Sequence, residues 1–203
     1  MQYSVHSPTE FISTHLEQLL PSWSVPVWSV LVVLQLCQFA LIERTAETEN
    51  YKDQLRQQFI DFGNHVVSKL RAMGYLADMF DPCTGWPLNS PPGQLRLDDV
   101  AVVRSILGYS VVNCGLCMTL VHPTWGKAVY PSTLMSSAPP HVLKEVVNSI
   151  LVGNKAHLDG SDFVTGECCL QSPPYLLTSQ LPATPSRNTT TPARDGAVLP
   201  SRV

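Results

Sequence analysis

The sequence predicts an α+β domain followed by a polar tail, and three stretches carry that prediction. Val27 to Leu34 is a continuous apolar run rich in β-branched residues, the pattern of a strand buried on both faces. Leu55, Phe59, Phe62, Val66, Leu70 and Met73 recur at spacings of 4, 3, 4, 4 and 3, which is one face of a helix spanning about Glu49 to Met73. Gly108 to Gly126 passes through Cys114-Gly115-Leu116-Cys117 between strand-like segments. It is the stretch with the most chemical content.

The elements follow in chain order. Ser7-Pro8-Thr9-Glu10 reads as a helix start, with Ser7 as cap, Pro8 at the first helical position and Glu10 completing a capping box. Phe11, Ile12, Leu16, Leu19 and Leu20 supply its apolar stripe, and Pro21 ends it. Val25 to Ile42 holds eighteen uncharged residues, the lower limit for a membrane span. Pro26, Ser29, Gln35 and Gln38 interrupt it, and its β-branched centre favours the buried strand. An acidic connection, Glu43 to Glu49, leads into the long helix, and Gly74 stands where a C-terminal cap belongs. Tyr75 to Phe80 alternates as a strand, and Asp81-Pro82-Cys83-Thr84-Gly85 is a turn that holds Cys83 alone. Trp86 to Gln94 is loop. Asp98 or Asp99 caps a short helix through Val100, Val103, Ile106 and Leu107, stopped by Gly108. Met118 to Val121 is β-rich, His122 to Gly126 is a turn, and a further strand is expected around Ala128 to Tyr130. Ser137-Ala138-Pro139-Pro140 opens a last helix on Leu143, Val146, Val147, Ile150 and Leu151, ended by Gly153. The domain therefore covers residues 1–153. Residues 154–203 form a tail, Pro/Ser/Thr-rich from 171 on and too poor in apolar groups to order itself. Cys168-Cys169 at its start is incidental.

A formal net charge of −3 with 14% charged residues in 203 provides no basic field, which argues against nucleic acid as a partner. Six cysteines are too sparse for a disulfide scaffold. The first residues show neither a positive n-region nor an Arg-rich transit character. The expectation is reduced thiols in a cytosol-like compartment, with the Asn188-Thr189-Thr190 sequon unmodified. Neither a phosphate-cradling Gly-rich loop nor a catalytic triad is recognisable. Asp78 and Asp81 read as strand and turn residues, not as a carboxylate pair.

The Cys114/Cys117 pair admits several chemistries. Thiolates suit soft or borderline metals, a CxxC pair can exchange disulfides, and cysteines also simply pack. A thiol–disulfide oxidoreductase is weakened because the pair does not open a helix after a strand. Zinc held by Cys114, Cys117, His122 and a fourth ligand has Cys-x2-Cys-x4-His spacing, which is not a standard structural set. His122, before a proline in a tight turn, reads as a hydrogen-bonded structural histidine, and Trp125 fills a core or interface pocket.

The string Lys69-Leu70-Arg71-Ala72-Met73-Gly74-Tyr75-Leu76-Ala77-Asp78-Met79-Phe80-Asp81-Pro82, then Leu107-Gly108-Tyr109-Ser110-Val111, then His122-Pro123-Thr124-Trp125-Gly126 resembles the C-terminal domain of the CblD family of vitamin B12 trafficking proteins. A weaker similarity in the same register begins at Ser7-Pro8, so that the resemblance covers roughly residues 7 to 152. It implies a nitroreductase-like sandwich of a mixed or antiparallel sheet with packed helices, whose flavin site is lost. It implies no enzymatic turnover. The implied role is a cytoplasmic adaptor, with a mitochondrial form possible for the family, that binds a CblC-like processing protein and routes cobalamin towards methionine synthase.

The resemblance further implies a cysteine thiolate as ligand to the cobalt of cobalamin, which is shared with the partner. The family carries two adjacent cysteines, the first being the ligand. Here that position is Leu116 and the second is Cys117, while Cys114 lies two residues upstream. Cys117 is the expected donor and Cys114 the substitute, reached by a backbone shift at Gly115. His122 is a weaker candidate ligand. A flavin-binding reductase on the same scaffold stands as the other enzymatic alternative, resting on fold analogy alone.

Overall fold

The computed structural model describes residues 1–42, 45–115 and 117–155, with the backbone alone at Cys117, Asn154 and Lys155. Among the described residues, two antiparallel sheets and five helices make up the α+β fold. The strands are β1 (Gln2–His6), β2 (Ser29–Leu36), β3 (Ala77–Met79), β4 (Ser110–Cys114), β5 (Cys117–Val121) and β6 (Val129–Ser136). The helices are α1 (Glu10–Thr14), α2 (Leu16–Leu19), α3 (Ala46–Ala72), α4 (Asp99–Leu107) and α5 (Pro140–Lys155). The main sheet has the order β1-β2-β6-β3, and β4 and β5 form a separate hairpin.

β2 is the central strand that its apolar run requires. Seven of its eight residues are buried, and it pairs with β1 on one side and β6 on the other. Alternation along it feeds two cores. Leu31 and Val33 pack with Phe59, Val66 and Leu70 of α3 and Leu143 and Val147 of α5. Val30, Val32 and Leu34 face Ile12, Leu19, Leu20, Val103 and Leu120. Each such side chain taken out of water contributes about 1.5–3 kcal/mol. The Val25–Ile42 segment thus builds a sheet, and no helix among the described residues is long and apolar enough to cross a membrane.

Several expectations are corrected. Residues 2–6 are an edge strand that the sequence reading left unassigned. The first helix is capped by Thr9, whose side chain accepts from the Ile12 N–H, and not by Ser7. It breaks at His15 into two short helices, which leaves Phe11 exposed while Ile12, Leu19 and Leu20 are fully buried. α3 begins at Ala46, not Glu49, because Thr45 and Thr48 form a reciprocal capping box. Met73 caps the end of α3 and is 54% exposed, outside the buried stripe. α5 runs two residues beyond Gly153. The expectation of an unordered tail falls outside the described residues, as do Cys168, Cys169 and the Asn188 sequon.

β6 is the largest correction: eight residues, against the three expected at Ala128–Tyr130. Pro131 and the polar Ser132 and Thr133 disguised it. A proline cannot donate to a ladder, but β3 pairs only with Leu134–Ser136 of β6, so at Pro131 the ladder has β2 alone as partner.

Candidate functional site

The cysteine pair sits at the end of the β4–β5 hairpin. Ser110 pairs with Val121 at its base and Cys114 with Cys117 at its tip. Two residues therefore connect the strands, and Gly115, the first of them, has φ 77°. Two-residue hairpins need positive φ at that position, which glycine adopts without steric cost. The sequence Cys-Gly-x-Cys is thus a hairpin signature as well as a thiol motif.

The base of the hairpin is anchored and its tip projects. Leu120 is buried in the core shared with α4, and Tyr109, Val111 and Trp125 pack around that core. The Thr119 hydroxyl donates to the Leu41 carbonyl at 2.9 Å. Towards the tip, Asn113, Gly115 and Met118 are exposed and Cys114 is half-buried. Leu116, the position of the family's ligand cysteine, and the Cys117 side chain lie outside the described residues. The pair stands on a hairpin and not at the start of a helix.

His122 holds the turn that follows β5. Its Nδ1 accepts from the Thr124 and Trp125 N–H groups, both at 3.1 Å. Two donors on Nδ1 leave the ring proton on Nε2, which donates to Gln2 Oε1 at 3.0 Å. The ring stacks on Trp125 at 4.2 Å between centroids and meets Tyr109 edge-on. Burial lowers its pKa. Both ring nitrogens are committed to the fold in this arrangement. Among the described residues no group of three or more His, Cys, Asp or Glu could hold a metal ion.

The remaining cysteines and acids are scattered. Cys37 is buried and Cys83 exposed in the turn after β3. Asp78 Oδ1 accepts from the backbone and side-chain N–H groups of Asn89. Asp81 organises its turn, accepting from the Cys83 N–H and the Thr84 hydroxyl, and is gripped by Arg56 of α3. The Arg56 partnership joins residues 25 apart, and the sequence held no local sign of it. Asp98 caps α4, accepting from the Val100 and Ala101 N–H groups, while Asp99 turns inward and is buried.

Together these features define an α+β scaffold that carries a two-cysteine hairpin. The family model for the methylmalonic aciduria and homocystinuria type D protein matches residues 1–150, and the chain belongs to that family. It is 26% identical to the human cobalamin trafficking protein CblD over 148 residues, covering 72% of this chain and 50% of that protein. The rat protein of the same name is 24% identical over 148 residues, with the same shares covered. The chicken protein is 24% identical over 140 residues, 69% of this chain and 47% of its own length. The chain spans about half the length of these curated relatives.

Proposed function

We propose that this chain is a non-enzymatic adaptor of intracellular cobalamin trafficking. It binds a CblC-like processing protein in the cytoplasm and lends a hairpin thiolate to the cobalt of the cobalamin that the partner holds, routing the cargo towards methionine synthase. The scaffold on this reading is nitroreductase-like and carries no flavin. The relatives' printed name supports the trafficking role. The observation that carries the chemical half is the pairing of Cys114 with Cys117 at a projecting tip.

A thiolate is a soft donor matched to a transition-metal centre. On ligation the thiol proton passes to solvent, the sulfur lone pair forms the bond to cobalt, and the group in that axial position leaves. No electron is exchanged, so the step reverses when a competing ligand arrives. Cys117 is the donor and Cys114 the substitute, while His122 is spent on the turn.

Co-purification with a CblC-like protein in the presence of cobalamin tests docking. Absorption spectra of that complex with Cys117→Ser, Cys114→Ser and the double variant test ligation. Loss of the thiolate-bound spectrum in Cys117→Ser, with the partner still retained, is the expected result. Unchanged spectra in all three variants remove the ligand role, and failure to retain the partner removes the adaptor role.

A further inference from the structure

We propose that Cys114 and Cys117 close into a reversible disulfide across the tip of the β4–β5 hairpin. The pair then has a reduced form that can supply a thiolate and an oxidised form that cannot. The bridge itself is argued from the backbone of the hairpin, and its consequence for cobalt rests on the ligand role proposed above.

The ladder sets the two residues opposite one another. Four rungs, from Ser110–Val121 to Asn113–Met118, lead up to Cys114–Cys117, which is the last. Directly paired residues of an antiparallel ladder have Cα atoms about 4.5–5.5 Å apart, inside the span of about 4.4–6.8 Å that a disulfide bridges. Among the described residues the other cysteines stand on no rung of this hairpin. Cys37 is buried beside Leu55 and Tyr130, and Cys83 is exposed in the turn after β3.

The hairpin lowers the cost of closing the ring. In a free chain the ends of such a loop must meet against their conformational entropy. Here the turn already brings them together. Gly115 takes φ 77°, and the ladder is anchored below by the buried Leu120 and by the Thr119 hydroxyl on the Leu41 carbonyl. An oxidant can approach, since Asn113, Gly115 and Met118 are exposed and Cys114 is half-buried. A bridge that closes so few residues takes little entropy from the unfolded chain, and exposed disulfides are the readily reduced ones. A disulfide at this place is a switch and not a staple.

The oxidant is a low-molecular-weight disulfide of the glutathione class. One cysteine thiolate attacks a sulfur of that disulfide, its S–S bond breaks, and one glutathione thiolate leaves. The second cysteine thiolate attacks the protein sulfur of the mixed disulfide and expels the other glutathione. Two electrons pass from the protein thiols to the small disulfide, and the two thiol protons end on the departing thiolates. With the two sulfurs bonded to one another, neither remains as a thiolate donor.

Oxidised glutathione added to the full chain alone tests the bridge. Alkylation of free thiols and peptide mass mapping should find Cys114 and Cys117 in one bridged peptide, two hydrogens lighter than the reduced one, and reduced glutathione should reverse it. Cys117→Ser should instead retain glutathione on Cys114, because the cysteine that would expel it is gone. Cys114 and Cys117 still open to alkylation after oxidation, or glutathione retained on wild-type Cys114, would overturn the proposal. The cobalamin complex tests the consequence, with each sample desalted before mixing. The oxidised chain should give the spectrum of the Cys114→Ser/Cys117→Ser double variant, and the reduced chain the thiolate-bound one. A thiolate-bound spectrum from fully bridged chain would overturn the switch. If the reduced chain also matches the double variant, the ligand reading falls and the mass map alone decides the bridge, so the two fail separately.

Discussion

Arg56 on α3 holds both carboxylate oxygens of Asp81 in the turn after β3, Nε to Oδ1 at 2.6 Å and Nη2 to Oδ2 at 2.9 Å. Burial alone would raise the Asp81 carboxyl, but the Arg56 bonds, with those from Cys83 and Thr84, hold it below its ordinary value of 3.8. This fork ties the long helix to the turn after β3. Arg56→Ala should cost about 1–3 kcal/mol in urea denaturation. Arg56→Lys should recover little of it, since an ammonium cannot reproduce the bidentate geometry. Asp81, depressed in the folded state, contributes stability that is present above pH 4 or so and lost as the pH falls through its folded pKa.

His122→Ala should destabilise by about 2 kcal/mol, because the Thr124 and Trp125 N–H groups lose their acceptor and Trp125 its stacking partner. His122→Asn presents an oxygen near the place of Nδ1 and should recover part of the loss. Thermal melts of the two variants check the order. Equal melting temperatures for both would show that the turn does not depend on that acceptor.

The pH dependence of stability should combine two opposing contributions. Asp99 has a folded pKa of about 7 against 3.8, so on acidification the native state takes up this proton first and gains stability between those values. His6 and His122, both lowered by burial from 6.5, act the other way: below 6.5 the unfolded chain binds more protons and stability falls. Asp99→Asn removes the compensating gain, so its stability should drop more steeply than wild type as the pH falls from about 7 to 5. The same variant should be more stable than wild type near pH 8, by at most about 4 kcal/mol. Denaturation midpoints across that range measure both effects, and parallel pH profiles for the two proteins would contradict them.

Gly93 lies against the end of α2, where the Gln94 and Leu95 N–H groups donate to the Gln18 carbonyl. A Cβ placed there would stand 2.0 Å from that oxygen. Gly93→Ala should therefore cost about 1–3 kcal/mol, because backbone and not a flexible side chain must move. Gly63→Ala in α3 should cost less, since its Cβ would meet the Met79 sulfur at 2.7 Å, a side-chain atom and not backbone. Comparing the two melting temperatures checks the order.

What could be read from the sequence was what neighbours in the chain determine. Leu55, Phe59, Phe62, Val66 and Leu70 announced α3 because a single periodic face suffices, and all five are buried. Gly108 announced the end of α4, and it does adopt the left-handed conformation at φ 68°. Cys114-Gly115-Leu116-Cys117 between strand-like segments pointed to a link between strands, and the strands are joined by a two-residue hairpin connection. β1 was hidden because its five residues are only half-buried at a sheet edge, which leaves no clear alternation. β6 was hidden by Pro131, which is tolerated only because β3 is short, a fact about a strand some fifty residues away. The burial of Asp99 was the least legible feature, since an aspartate beside a helix cap turns inward only once α4 packs against β6.

Cys114 pairs with Cys117, so only two residues join β4 to β5. Substitutions at those two paired positions change which chemical group stands at the hairpin's end and leave the ladder beneath it as it was, whereas Gly115 is held to glycine by its φ of 77°. One inserted residue would act differently, disturbing the rung itself and turning neighbouring side chains to the opposite face. The end of this hairpin is a fixed address at which sulfur, hydrocarbon or hydroxyl can be exchanged without rebuilding the molecule beneath it.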